Sequence, residues 1–237
     1  MNDERPLVQI RDLAVTYHTR LGDLSAVQGV SFDVQRGEIL GLVGESGCGK
    51  STLGKALLRM IAPPGEISGG KIIFDGEDIM EYDERRLREF RGRAASMIFQ
   101  DPMTSLNPVQ RIDEHVVEAI QVHERQTVRD SALERVRGLA ERLGIQNRRL
   151  ADYPHQLSGG MRQRVMIALG LVLNASLIVA DEATTSLDVI VEAKLLDQLR
   201  EVRDVYGVTI LMITHNIALV AEVADRVCRE LMFAGEG

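Results

Sequence analysis

The 237-residue chain lacks the features that mark several large protein classes. It has only two cysteines, Cys48 and Cys228, far apart and without a partner at metal-ligand spacing, so neither a disulfide framework nor a zinc site is suggested and a reducing setting fits. No apolar run reaches the ~20 residues of a membrane-spanning helix. The longest, Val165 to Ala180, is broken by Asn174-Ala175-Ser176, which reads as a turn between a buried helix and a buried strand. The opening Met1-Asn2-Asp3-Glu4-Arg5 is polar and acidic with no apolar segment behind it, so no secretory leader is expected. Internal repeats and low-complexity segments are absent as well. Nor is there an excess of positive charge: the formal net charge of −7 removes any general attraction for nucleic-acid phosphates or anionic lipid. The one dense basic run, Arg85 to Arg93, is flanked and interrupted by Glu84 and Glu89 and is expected to be a solvated helix face. Any contact with a membrane is therefore expected through a partner.

What is present is a globular composition, 45% hydrophobic and 27% charged. The length allows one α/β domain with an inserted subdomain as readily as two small domains. Four short apolar segments, Ile39 to Val43, Ala95 to Phe99, Leu177 to Ala180 and Thr209 to Thr214, have the near-continuous hydrophobicity of strands buried on both faces of a parallel sheet. Each is followed at once by a glycine or polar residue: Gly44, Gln100, Asp181 and His215. Ligands of open α/β sheets bind beyond the carboxyl ends of the strands, so these four positions are candidate site residues. Residues Leu7 to Val34 alternate more strongly, and Lys71 to Phe74 leads into a turn at Asp75-Gly76, which together suggest a small antiparallel layer. From Gln100 to Ser158 the apolar spacing becomes helical, as in "VRDSALERVRGLAERLG", and an inserted helical subdomain is expected there.

The chemistry starts at Gly44-Glu45-Ser46-Gly47-Cys48-Gly49-Lys50-Ser51, with Thr52 behind it. This G-x-x-x-x-G-K-[ST] stretch follows an expected strand and opens an expected helix, the context a phosphate loop needs. Glycines let backbone N–H groups turn toward anionic oxygens, and the helix start adds its dipole. Lys50 is expected at the β- and γ-phosphates of ATP and the Ser51 hydroxyl on Mg²⁺. Cys48 reads as a small tolerated side chain. Further on, Asp181-Glu182 closes an apolar strand with two acids. Asp181 suits a Mg²⁺ contact through water, and Glu182 suits a general base for an attacking water.

Leu157-Ser158-Gly159-Gly160-Met161-Arg162-Gln163 adds a second anion-favouring helix start. With the other elements in order, from Tyr17 through the phosphate loop, Gln100, the Ser158 stretch, Asp181-Glu182, Ser186-Leu187-Asp188 and His215, the chain resembles the ATP-binding-cassette (ABC) ATPases over nearly its whole length. That resemblance implies the fold class: an α/β P-loop NTPase core with a parallel sheet, a small antiparallel β layer and an inserted helical subdomain. It also implies one ABC ATPase domain, with residues 1–95 and 165–237 as the core and 100–164 as the helical part. Further roles follow from it alone. Tyr17 stacks on adenine, although an aromatic in an alternating strand can equally be a packing residue. Gln100 contacts Mg²⁺ and the attacking water, and His215 holds the γ-phosphate. Ser158, Gly159, Gly160 and Asp188 face the nucleotide of a second ATPase subunit across a head-to-tail dimer.

"MIFQDPMTSLNPV" and the long stretch from Tyr153 to Val189 resemble the ATPases of oligopeptide and dipeptide importers, a group that includes nickel and glutathione importers. This narrower resemblance implies coupling of ATP hydrolysis to peptide or small-solute uptake on the cytoplasmic face of the inner membrane. The implied partners are two transmembrane permeases, a second cassette, identical or related, and, indirectly, an extracytoplasmic solute-binding protein. Asp101 to Pro108 is then either a permease-docking loop or an ordinary turn. Departures from the pattern are Ala183 where many relatives have proline, the charged pair Arg229-Glu230 in an expected final strand, and the lack of the usual C-terminal extension. A soluble ABC protein acting on nucleic acid or ribosomes is the rival reading, against which the chain shows no second cassette, coiled-coil insertion or basic arm.

Overall fold

The computed structural model describes residues 5–99, 105–182 and 189–228. The expected buried strands form one parallel sheet of β3 (Ile39–Val43), β6 (Ala95–Ile98), β7 (Leu177–Asp181), β8 (Thr209–Thr214) and β9 (Arg226–Cys228), in the order β6-β7-β8-β3-β9. The residues of β3, β7 and β8 are all buried, which is what their unbroken apolar runs demand. Two bounds differ by a residue from the sequence reading: β6 stops at Ile98, and β7 runs on to include Asp181, which pairs with Ile213 of β8.

A second, antiparallel sheet has the order β2-β1-β4-β5, from β1 (Val8–Thr19), β2 (Gly22–Val34), β4 (Gly65–Phe74) and β5 (Glu77–Asp78). β4 starts well before Lys71. Its first six residues carry Gly65, Gly69 and Gly70 and so lack the apolar alternation by which a strand is recognised. Gly70 has φ 87°, and a Cβ there would lie 2.5 Å from the Asp12 carbonyl oxygen, at the point where the β1–β4 register shifts.

Successive strand residues feed opposite sides of the parallel sheet. Leu40, Leu42, Leu177, Val179, Leu211 and Ile213 pack with the antiparallel sheet and helix α1 (Lys50–Leu57) in one apolar core. Ile39, Val43, Ile178, Ala180, Ile210 and Met212 pack into a second core with the remaining helices α3 (Ile112–His123), α4 (Arg129–Arg142), α5 (Gly159–Leu171), α6 (Val189–Tyr206) and α7 (Ile217–Val223). α5 runs unbroken across residue 164 and meets β6 where the Ser96 hydroxyl donates to the Gly170 carbonyl at 3.0 Å. Val220 of α7 is wholly buried and sits over Gly41.

The basic run forms α2 (Glu84–Arg93), with non-helical backbone at Arg91 and Gly92. Asp83 caps it by accepting from the Arg86 N–H at 2.7 Å, and only Leu87 and Phe90 are buried. A solvated face is therefore what this run makes, anchored by the edge-to-face pair Phe90–Phe74 at 5.0 Å. β9 pairs in parallel with β3, and Arg229-Glu230 lies outside the described residues.

Candidate functional site

β7, β8 and β3 are neighbours in the sheet, and their carboxyl ends bring most of the expected residues together. From β3 the chain enters the loop at Gly44. Gly47 and Gly49 take left-handed backbone, φ 83° and 89°, which is accessible to glycine at little cost and turns the chain sharply into α1. Gly44 must also be small, since a Cβ there would lie 2.9 Å from Cys48 Sγ. Glu45, Ser46 and Gly47 are exposed, whereas Lys50 is 4% exposed. Its Nζ donates to the carbonyls of Gly44 at 2.9 Å and Glu45 at 2.6 Å and lies 3.4 Å from Cys48 Sγ. The ammonium is thus held over the mouth of its own loop, within reach of any anion the loop binds. Thr52 is half-buried one residue further along α1.

Ser51 Oγ donates to Asp181 Oδ1 at 2.8 Å, joining α1 to the end of β7. Asp181 is only 5% exposed. Burial raises its carboxyl above the ordinary value, Glu182 adds to the effect, and the Ser51 hydrogen bond, Lys55 and Lys50 oppose it. A hydroxyl and a buried carboxylate in contact are the hard oxygen donors Mg²⁺ prefers, and a cation there would remove the penalty of burying the charge. Among the described residues no cluster of three or more His, Cys, Asp or Glu could hold a metal unaided. The donor set therefore fits an ion that takes its remaining ligands from phosphate and water.

Glu182 has φ 45°, a left-handed conformation uncommon outside glycine. Its N–H is held by the Ile213 carbonyl at 2.8 Å, and its carboxylate Oε1 lies 3.4 Å from His215 Nδ1. The glutamate side chain is 14% exposed and the histidine 52%, so an acid and a base stand together at the rim of the sheet with water access. The arrangement offers a phosphate cradle, a cation site and a proton acceptor, which is the equipment of phosphoryl transfer to water.

The other expected residues lie apart from this cluster. Ser158 caps α5, its Oγ accepting from the Met161 N–H at 3.4 Å, with Ser158 and Gly159 exposed and Gly160 half-buried. It is a helix start of the expected kind, presented outward. Tyr17 stands on β1 opposite Leu24 and Gly65, and a Cβ at Gly65 would lie 2.5 Å from Tyr17 Cε1, so the ring rests against β4 as a packing residue does. Gln100, Asp101 to Thr104, Ala183 and Asp188 lie outside the described residues. Lys55, whose charge opposes the upward shift of Asp181, is a residue beside the site that motif reading misses. It follows Ser51 by four positions on α1, and that helical spacing is the signal by which it could have been found.

A cleft of about 860 Å³ lies elsewhere, between α2 and the α3–α4 connection, lined by Arg85, Arg88, Arg93, Val122, His123 and Arg125 among others. Arg93 donates to the His123 carbonyl at 3.0 Å, and burial followed by the Arg93 charge lowers the His123 pKa.

Residues 27–185 match the ABC transporter family model. The oligopeptide transport ATP-binding proteins OppD of Bacillus subtilis and of Escherichia coli are 41% and 43% identical, each over 97% of this chain. The dipeptide transport ATP-binding protein DppD of Lactococcus lactis is 39% identical over 98% of it. The chain spans 64%, 67% and 67% of the lengths of these three relatives. Among solved structures, the dimeric ABC transporter cassette MJ0796 superposes with TM-score 0.82 at 25% identity, covering 94% of this chain and 93% of that one. A post-hydrolysis dimer of the same cassette, bound to ADP and Pi, gives 0.80 at 26% identity with the same coverage.

Proposed function

The chain belongs to the ABC transporter family, and from that premise we propose that it is the ATP-binding and hydrolysing subunit of an importer, coupling ATP-driven dimer closure to uptake of peptides or a related small solute. The observation that carries the reading is the convergence of Lys50, Ser51, Asp181, Glu182 and His215 at the ends of three adjacent strands.

In this reading the N–H groups of Gly47 to Ser51 and the start of α1 hold the phosphates of ATP, and Lys50 exchanges its loop carbonyls for β- and γ-phosphate oxygens. Ser51, Asp181 and Gln100 would hold Mg²⁺. Bound there, the ion neutralises charge on the phosphate oxygens. Glu182 accepts a proton from the attacking water as its oxygen bonds to the γ-phosphorus and the bond from that phosphorus to the β–γ bridging oxygen breaks. His215 steadies the γ-phosphate. Tyr17 stacks on adenine. Ser158, Gly159, Gly160 and Asp188 complete the site of a second cassette in a head-to-tail dimer.

The helices α3 and α4 belong to the helical subdomain expected over residues 100–164, and the cleft between α2 and the α3–α4 connection is the natural seat for a permease segment, being large and charged at its rim. Two permeases, a related or identical cassette and, indirectly, an extracytoplasmic binding protein complete the assembly at the cytoplasmic face of the inner membrane. Among the described residues no helix is long and apolar enough to cross a membrane, consistent with a peripheral subunit.

Two experiments test this. Glu182→Gln should abolish ATP turnover while retaining ATP and trapping a dimer visible by size-exclusion chromatography; hydrolysis at the parent rate would remove Glu182 from the role of base. Purification of the tagged full-length protein from gently solubilised membranes should bring two polytopic permeases. Recovery of ribosomal or DNA-repair components instead would sink the transport reading and leave the ATPase standing.

A further inference from the structure

His215 is the first residue after β8, and half of its side chain is exposed, so packing alone does not orient the ring. The residues on either side of it are held. Thr214 is 3% exposed, and its Oγ1 accepts from the Asn216 N–H at 3.1 Å. The Asn216 side chain in turn accepts from the N–H groups of Ala218 at 3.1 Å and Leu219 at 3.4 Å, capping α7. A helix of 7 residues is too short to persist without such help. Its other anchor is Val220, which lies over Gly41 so closely that a Cβ on that glycine would stand 2.0 Å from Val220 Cγ1. Gly41 belongs to the strand that runs into the phosphate loop. A continuous set of contacts therefore links that strand to α7, α7 to Asn216 and Asn216 to the His215 backbone, while Ile213 holds Glu182 from the same strand end.

We propose that Asn216 is a positioning residue for hydrolysis, setting His215 against Glu182 and the phosphate loop by capping α7. The proposal rests on the role given to His215 above. In it, Asn216 touches neither nucleotide nor water and acts through the histidine alone.

The test is a mutant cycle on the full chain. Asn216→Ala should lower kcat on the order of tenfold or more with KM for ATP little changed, because a misplaced group costs rate more than binding. Asn216→Asp, which can still cap, should restore most of the rate. In a His215→Ala background Asn216→Ala should cost nothing further. An equal loss in that background, or an unchanged kcat in folded Asn216→Ala, overturns the proposal. If Asn216→Ala does not fold, Thr214→Val removes the neighbouring acceptor with little change of shape and is read in the same cycle. A second readout is the ring resonance of His215 in nucleotide-free protein, assigned by its loss in His215→Ala. It should move in Asn216→Ala and return in Asn216→Asp; a resonance indifferent to both substitutions overturns the proposal. Absence of ATP hydrolysis by the parent chain would instead defeat the reading of the site, and the ring resonance would still decide the role of Asn216.

Discussion

Gly41→Ala is the substitution whose consequence the structure specifies most sharply. The added methyl would stand 2.0 Å from Val220 Cγ1, 3.2 Å from its Cβ and 3.3 Å from its Cγ2. Carbon atoms pack comfortably at about 3.5–4.0 Å, so roughly 1.5 Å must be found. Valine in a helix is held to one χ1 rotamer, so the methyl cannot rotate away. β3 is fixed between β8 and β9, and Val220 is fully buried. The helix must lift or the strand must bend, at the usual overpacking cost of about 1–3 kcal/mol. Val220→Ala alone should cost about 2 kcal/mol through lost burial and the cavity it leaves. The pair Gly41→Ala/Val220→Ala adds one methyl on the strand and removes two from the helix, so the clash is relieved with a net loss of one methyl, and the double variant should recover to within about 1 kcal/mol of the parent, a coupling of about 2–3 kcal/mol. In a chain of this length Gly41→Ala alone should lower Tm by about 3–10 °C. Urea unfolding of the four proteins at one pH measures the cycle. A Gly41→Ala protein as stable as the parent, or a double variant whose losses simply add, would refute the account of how α7 is seated.

Other outcomes are expected from the site and its surroundings. Burial lifts the Asp181 carboxyl above its ordinary 3.8, so the native state binds this proton more tightly than the unfolded chain, and the group's contribution to stability falls as pH rises from there through the native value. Asp181→Asn should therefore melt higher than the parent at pH 7, the difference closing toward pH 4, while losing Mg²⁺-dependent ATP hydrolysis; a lower Tm at pH 7 would contradict this. Ser51→Ala should leave Asp181 short of a partner, costing about 1–2 kcal/mol in urea titrations and abolishing the Mg²⁺ dependence of nucleotide binding. His18 is flanked by Asp23 at 2.7 Å and Glu66 at 3.2 Å, and hydrogen bonds to these two raise its pKa above the ordinary 6.5. Its tie between β2 and β4 is then present below 6.5 and lost as pH rises through the native value, and histidine NMR should show Asp23→Asn moving the titration downward.

Much of this was legible because the informative residues are local signals. The phosphate loop, the buried strands and the Ser158 cap depend on neighbours within a few positions, and each appears as expected. The basic run at Arg85 is legible for the same reason, since charge on all but one face of a helix can only be solvated. The start of β4 is not, because glycines at a bulge erase the alternation and are required by a backbone approach from β1 that no local pattern encodes. The surroundings of Tyr17 are not legible either, because its contact with Gly65 comes from a strand distant in the chain.

The sequence by itself determined that the chain builds a parallel sheet with a phosphate loop at one strand end and paired acids at another, because burial and backbone freedom write themselves into residue type. Only the tertiary structure decided that Ser51 reaches Asp181, that Glu182 adopts left-handed backbone beside His215, and that Val220 closes on Gly41. Those contacts join residues up to 179 positions apart, and their distances depend on the order of strands in the sheet and on which side of it each helix returns, neither of which any single segment contains.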